Sequence, residues 1–301
     1  MKQQQRLLIA TDLSTPEDNA VQRGALLARQ SGAVVELLHV LEDWPRGELP
    51  PLDSPLMAEL RQTLTEAAQG SLRQLAGQWF EGIDVRCRVE VGRDFAGIIG
   101  RARQFNADLV VVGTGGGHSA RELFLGTTAE KVVRKGDRSV LLVRHPPRKP
   151  YRRVLIPTDF STASRQALIE ALPLAPGARF DLLHVYRLWG SGRLGPASIG
   201  DEQLQRYQQQ LLDAAGTKLQ QLLQIPELHA TRIKRHLRQG NPAALIPAQA
   251  AELGADLIAM GTAGLSGLPY LLLGSVTEQV IRQAGCDVLA VRPADFKFQL
   301  P

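Results

Sequence analysis

The same glycine spacing occurs twice in this chain, 148 residues apart, and each copy follows a short apolar run. Gly113-x(2)-Gly116-x(9)-Gly126-Thr127 returns as Gly261-x(2)-Gly264-x(9)-Gly274-Ser275. At ordinary glycine, serine and threonine usage, one such match is expected in only about one of 100 chains of this length, so two at equivalent places are not chance. The runs Asp108-Leu-Val-Val-Val112 and Asp256-Leu-Ile-Ala-Met260 predict buried parallel strands that the first glycine ends. The last glycine and its hydroxyl neighbour predict a helix start. Backbone N–H groups there have no intrahelical partner and form a ready anion site.

The duplication extends beyond the glycines. Arg6-Leu-Leu-Ile-Ala-Thr-Asp-Leu-Ser-Thr15 returns as Arg153-Val-Leu-Ile-Pro-Thr-Asp-Phe-Ser-Thr162, Glu36-Leu-Leu-His-Val40 as Asp181-Leu-Leu-His-Val185, and Val91-Gly92 as Gln239-Gly240. Between Gly126–Arg144 and Gly274–Arg292, 8 of 19 positions are identical. One domain of ordinary size has therefore been repeated, giving a first domain over 1–146 and a second over 152–301. The prolines and basic residues around 147–151 read as a short, stiff, solvated linker.

Each half alternates strand and helix. Strands are expected near 6–11, 34–40, 84–91, 108–113 and 139–143, with helices near 16–30, 56–79, 94–105 and 127–136. The second half follows with strands near 152–158, 180–185, 230–238, 256–261 and 287–291. Because parallel strands need helical crossovers, this order predicts an α/β chain of two tandem, doubly wound, parallel five-stranded sheets, Rossmann-like in layout. Ligands of such sheets sit beyond the carboxyl ends of the strands, where strand order reverses. If the reversal lies between strands one and four, Asp12 faces Gly113: a carboxylate, a glycine turn and a helix start, which together suit a nucleotide. A P-loop is excluded because no stretch reads G-x(4)-G-K-(S/T), and a dinucleotide fingerprint is excluded because strand one runs into Thr-Asp-(Leu/Phe)-Ser-Thr.

The net charge of +5 is mild and mixed, about +2 before residue 150 and +3 after it, so a nucleic-acid groove is not expected. Arg232, Lys234, Arg235, His236 and Arg238 do cluster, and they read as a solvated strand edge. No apolar run approaches a membrane span, the N-terminus does not resemble a signal peptide, and Cys87 and Cys286 occupy non-equivalent places without metal spacing. A cytoplasmic location is the simplest expectation.

The strand-one Thr-Asp-(Phe/Leu)-Ser, the Leu-Leu-His-Val strand, the G-x(2)-G-x(9)-G-(S/T) signature and the closing Val-Leu-x-Val-Arg together resemble the universal stress protein family in its tandem two-domain form. The resemblance implies an adenine nucleotide alpha hydrolase-like fold with pseudo-twofold related halves. It also implies two sites for ATP, or AMP or ADP, with Mg²⁺ accompanying the nucleotide. In the second half Asp159 and the backbone of Val185 would hold the adenosine end, Met260 and Gly261 the ribose region, and Gly264, Gly274, Ser275, Val276 and Thr277 the phosphates. The matching residues of the first half are Asp12, Val40, Val112, Gly113, Gly116, Gly126, Thr127 and Thr128. In the first half Ala10 departs from Pro157 and Ala129 from Thr277. The second half loses a histidine frequent in the family at Ala263, but its fuller match Gly274-Ser-Val-Thr-Glu278, with two hydroxyls at a helix start, leads to the expectation that it binds more tightly. Family members pair through their last strands, which implies intramolecular pairing of the two halves through 140–143 and 288–291 and leaves a homodimer open.

Other readings of the same residues stay open. Asp12 and Asp159 also suit helix caps, and His39 and His184, inside apolar strands, suit structural roles. Trp44 and Trp189 read as equivalent loop anchors. Neither half has a Ser-His-Asp order, a paired catalytic carboxylate at obvious spacing or a metal cluster, which favours a nucleotide-binding regulator in the stress response over an enzyme. The alternatives are a slow ATPase or phosphotransferase, and a nucleotide-free module whose apolar loop 265–273 takes a lipid-like ligand or a protein partner.

Overall fold

The computed structural model describes residues 4–15, 18–42, 55–115, 126–147, 149–188, 201–228, 231–263 and 273–293. The chain divides between Pro150 and Tyr151 into two compact units. Tyr151, at the end of the expected linker, is buried, and its hydroxyl donates to Asp287 Oδ2 at 2.7 Å within the second unit.

The first unit runs β1 (Arg6–Ala10), α1 (Asn19–Ser31), β2 (Val34–Glu42), α2 (Pro55–Trp79), β3 (Val85–Gly92), α3 (Asp94–Gln104), β4 (Leu109–Gly113), α4 (Thr127–Lys135) and β5 (Ser139–Val143). Its strands are all parallel, in the order β3-β2-β1-β4-β5. The second unit runs β6 (Arg153–Pro157), α5 (Thr162–Leu174), β7 (Arg179–Tyr186), α6 (Asp201–Leu222), β8 (Arg232–Gln239), α7 (Pro242–Leu253), β9 (Leu257–Gly261), α8 (Ser275–Gln283) and β10 (Asp287–Val291). Its order is the equivalent β8-β7-β6-β9-β10, again parallel. Each strand order reverses at the strand-one and strand-four pair, the condition under which Asp12 faces Gly113. The central strands carry continuous apolar runs because helices cover both faces: Leu7, Leu8 and Ile9, or Leu155 and Ile156, have no exposed surface.

The two copies differ in where the first helix begins. A helix near 16–30 is expected in the first unit, but α1 starts only at Asn19, whereas α5 starts at Thr162, the equivalent of Thr15. The sequence supplies the reason. Proline follows Thr15 and disfavours helical backbone there, while Ala163 follows Thr162. Helix α1 is capped instead by Asp18, whose Oδ1 accepts from Ala20 N at 2.7 Å and Val21 N at 3.1 Å.

Each unit also buries one carboxylate in its second strand. Glu36 is met by Arg101 of α3, Nε at 2.5 Å and Nη2 at 2.7 Å. Asp181 has no exposed surface and accepts from Arg153 Nε at 2.7 Å, with His236 Nε2 at 2.6 Å. The basic cluster of β8 therefore splits. Arg232, Lys234, Arg235 and Arg238 lie exposed on this outer strand, but His236 turns inward onto Asp181. Burial pushes the Asp181 carboxyl up, and the Arg153 and His236 hydrogen bonds outweigh it, so the net direction is down.

Candidate functional site

At the reversal point of each sheet a cleft opens beyond the carboxyl ends of the strands. Strand one leads into it through an Asx turn: Asp12 Oδ1 accepts from Ser14 N at 2.9 Å, and Asp159 Oδ1 accepts from Ser161 N at 3.0 Å. The helix caps are other residues, Asp18 and Ser161, so neither aspartate serves as a cap. The next residue in each copy, Leu13 (φ 59°) or Phe160 (φ 66°), is held in left-handed backbone. That conformation costs roughly 1–2 kcal/mol for a residue with a Cβ, and its recurrence marks a turn whose shape the surrounding structure enforces.

The glycine loop forms the opposite wall. Gly126 N donates to Thr114 O at 2.6 Å and Gly274 N to Thr262 O at 2.9 Å, which pins the two ends of each loop together. Helices α4 and α8 then start at once, with glycine as N-cap and no side-chain cap hydrogen bond. The first helical bonds are Glu130 N to Gly126 O and Glu278 N to Gly274 O. The amides of residues 127–129 and 275–277 thus precede the helical ladder and form the positive end of the helix dipole. Helices α1, α5 and α7, by contrast, have side-chain caps from Asp18, Ser161 and Asn241.

The sequence-derived residues converge on these clefts. Asp12, Val40, Val112, Gly113, Gly126, Thr127 and Thr128 line the first, of about 540 Å³. Asp159, Val185, Met260, Gly261, Gly274, Ser275, Val276 and Thr277 line the second, of about 190 Å³. Gly116 and Gly264 lie outside the described residues, as do Trp44, Trp189 and most of the apolar loop 265–273. Thr277 is buried, and its hydroxyl donates to Gly261 O at 2.9 Å, tying the start of α8 to the end of β9. His39 and His184 each place Nδ1 on the carbonyl of the strand-one threonine, at 2.9 Å from Thr11 O and 2.8 Å from Thr158 O, a structural role.

The late start of α1 accounts for part of the difference in size. At Gly261 a Cβ would meet Ala163 at 2.8–3.0 Å, because α5 packs on the strand end, whereas a Cβ at Gly113 would meet nothing within 4 Å among the described residues. The first cleft accordingly extends along Ser14, Thr15, Asp18 and Asn19.

Asp18 and Asp94 of the first cleft are not among the sequence-derived set. Asp18 lines it, and burial pushes its carboxyl up against the lowering effect of the Thr11 hydroxyl and the Val21 and Ala20 amides. Asp94, first residue of α3, accepts the Thr128 hydroxyl on Oδ2 and the Phe95 amide on Oδ1 at 2.6 Å. The repeat held a signal for Asp94, since its equivalent is Pro242, which lines the second cleft. Among the described residues no group of three or more His, Cys, Asp or Glu side chains is placed to hold a metal ion. Nor is any helix among them long and apolar enough to cross a membrane.

The family model described as "Universal stress protein family" matches residues 4–144 and again 150–292. The chain belongs to the universal stress protein family. A universal stress protein of Methanocaldococcus jannaschii is 33% identical over 142 residues, 47% of this chain and 82% of that protein. A putative universal stress protein of Staphylococcus haemolyticus is 46% identical over 72 residues, but these span only 44% of its length. Among solved structures, a universal stress protein from Archaeoglobus fulgidus aligns over 95% of this chain and 98% of its own, with a TM-score of 0.67 and 21% identity. A putative universal stress protein from Pseudomonas aeruginosa aligns over 97% and 94%, with a TM-score of 0.65 and 20% identity. At these identities the structures establish a shared fold, and both tandem family domains lie within the aligned length.

Proposed function

We propose that this universal stress protein binds adenine nucleotide, ATP or its AMP and ADP products, and acts in the stress response as a cytoplasmic regulator without efficient catalysis. The observation that carries the reading is the pair of glycine-capped helix starts, each facing an aspartate across the strand-order reversal. Uncapped amides at the positive end of a helix suit phosphate, and a strand-end carboxylate accepts from hydroxyl or amino groups. The amides of residues 275–277 would take the phosphates, Asp159 and the Val185 backbone the adenosine end, and Met260 and Gly261 the ribose. Any Mg²⁺ would arrive on the phosphates, because the described residues offer it no cluster of their own. At about 190 Å³ the second cleft lies below the range of roughly 300–1,000 Å³ usual for small-molecule sites, so part of the nucleotide would project beyond it.

Gly274→Asp tests the reading because it moves stability and binding in opposite directions. Gly274 has extended backbone (φ −57°, ψ 137°), and an added Cβ would make ordinary contact with Thr262 O at 3.4 Å. An aspartate there caps α8 with its own carboxylate, which should leave stability unchanged or raise it by a few tenths of a kcal/mol. The same carboxylate occupies the amides and repels phosphate, so calorimetry should show ATP binding to the second cleft lost. Unchanged ATP affinity in this variant, or no adenine nucleotide released from the purified protein and none bound on titration, overturns the proposal.

A further inference from the structure

The two clefts share a plan but differ in charge where phosphate would sit. In the first, the Thr128 hydroxyl donates to Asp94, which places a carboxylate against the first turn of α4. Asp94 cannot turn away cheaply, since its other oxygen accepts the Phe95 amide at 2.6 Å. Three more carboxylates, Asp12, Asp18 and Glu42, line the same space, with Arg144 the arginine on its wall among the described residues. The second cleft has Pro242 and Val276 at the positions of Asp94 and Thr128, Ser164 on the wall near Thr158, and Asp159 as its carboxylate. The first is also the roomier, at about 540 Å³ against about 190 Å³.

We propose that the clefts have diverged in ligand class: the second accepts the phosphates of a nucleotide, while Asp94 makes the first a site for an uncharged nucleoside and excludes the free triphosphate. This rests on the adenine-nucleotide reading above. A phosphate at the amides of 127–129 would lie within a few ångströms of the Asp94 carboxylate and would have to displace it from the Thr128 hydroxyl. Unit charges that close, at a protein surface, repel strongly enough to weaken binding at least about tenfold. A nucleoside meets no such repulsion, and the carboxylate of Asp12, the counterpart of Asp159, accepts from its hydroxyl or amino groups.

The test is calorimetric titration of the full chain with adenosine and with ATP, both in EDTA so that no divalent cation bridges the charges. The wild-type chain should bind adenosine at two sites and ATP at one. Asp94→Asn keeps an oxygen acceptor for Phe95 N, and Asp94→Pro installs the residue of the second half at a first-turn position that favours proline. Both variants should gain a second ATP site, at least about tenfold tighter than the wild-type first cleft, and keep both adenosine sites. Two equal ATP sites in the wild-type chain, or a single ATP site that neither variant changes, overturns the role of Asp94 and leaves the nucleotide reading standing. Failure of both ligands to bind at either cleft overturns the two together.

Discussion

Asp181 shows how a single buried charge is kept in this fold. With no exposed surface, it would be intolerable alone, and Arg153 and His236 supply hydrogen bonds from β6 and β8. Those bonds hold its carboxyl below the ordinary value of 3.8, so the folded chain binds this proton more weakly than the unfolded chain does. The stability it contributes is therefore complete above about pH 4 and is lost as the pH falls through that value and below it. Asp181→Asn leaves the Arg153 guanidinium facing a neutral amide, and roughly 3 kcal/mol of stability should be lost near neutral pH. Urea unfolding of both proteins across pH 2–7 checks this. The gap should narrow below about pH 4, and a gap independent of pH would mean that packing, not charge, sets the effect. Sequence alone did not reveal this cluster. His236 sits among exposed basic residues of β8, and only the register that pairs β7 with β8 turns it onto Asp181.

The start of one helix decides what two equivalent glycines do. Gly261 has Ala163 of α5 packed against it, with a backbone carbon 2.9 Å from an added Cβ, whereas among the described residues nothing lies within 4 Å of a Cβ at Gly113. Gly261→Ala should cost about 1–3 kcal/mol through overpacking, and Gly113→Ala should change stability by less than about 0.5 kcal/mol. Parallel thermal or chemical unfolding measures the difference, and equal losses would mean that strand-end conformation rather than helix packing sets both. Most elements were legible in the sequence, because a parallel strand covered on both faces must be a continuous apolar run bounded by glycine or polar residues. Only the start of helix α1 was placed too early: its apolar positions begin at Ala20, and Pro16 and the cap residue Asp18, set against Ala163 in the other copy, indicate the later start. The glycine signature likewise led to the residues of both clefts but not to Asp94, whose contact with Thr128 spans 34 positions and forms only when α3 and α4 lie side by side.

At the scale of the molecule, the described residues of the two clefts do not supply the full set of groups that rapid phosphoryl transfer needs. Turnover at roughly 1–1,000 per second requires several preorganised groups on the γ-phosphate, among them cations and a base or water-positioning residue. The described wall of the second cleft has backbone amides, hydroxyls and Asp159, and the first adds Arg144 together with carboxylates that repel the reacting group. On the proposed reading, such sites would hold a nucleotide and order the helix start around it, and that ordering would itself be a signal if a partner prefers one conformation. ATP hydrolysis by the full chain with Mg²⁺ should therefore stay below about 1 per second. Asp159→Asn should weaken binding at the second cleft without exposing any faster step. Hydrolysis above that rate, abolished by Asp159→Asn while ATP still binds, would assign Asp159 to chemistry and make the protein an enzyme.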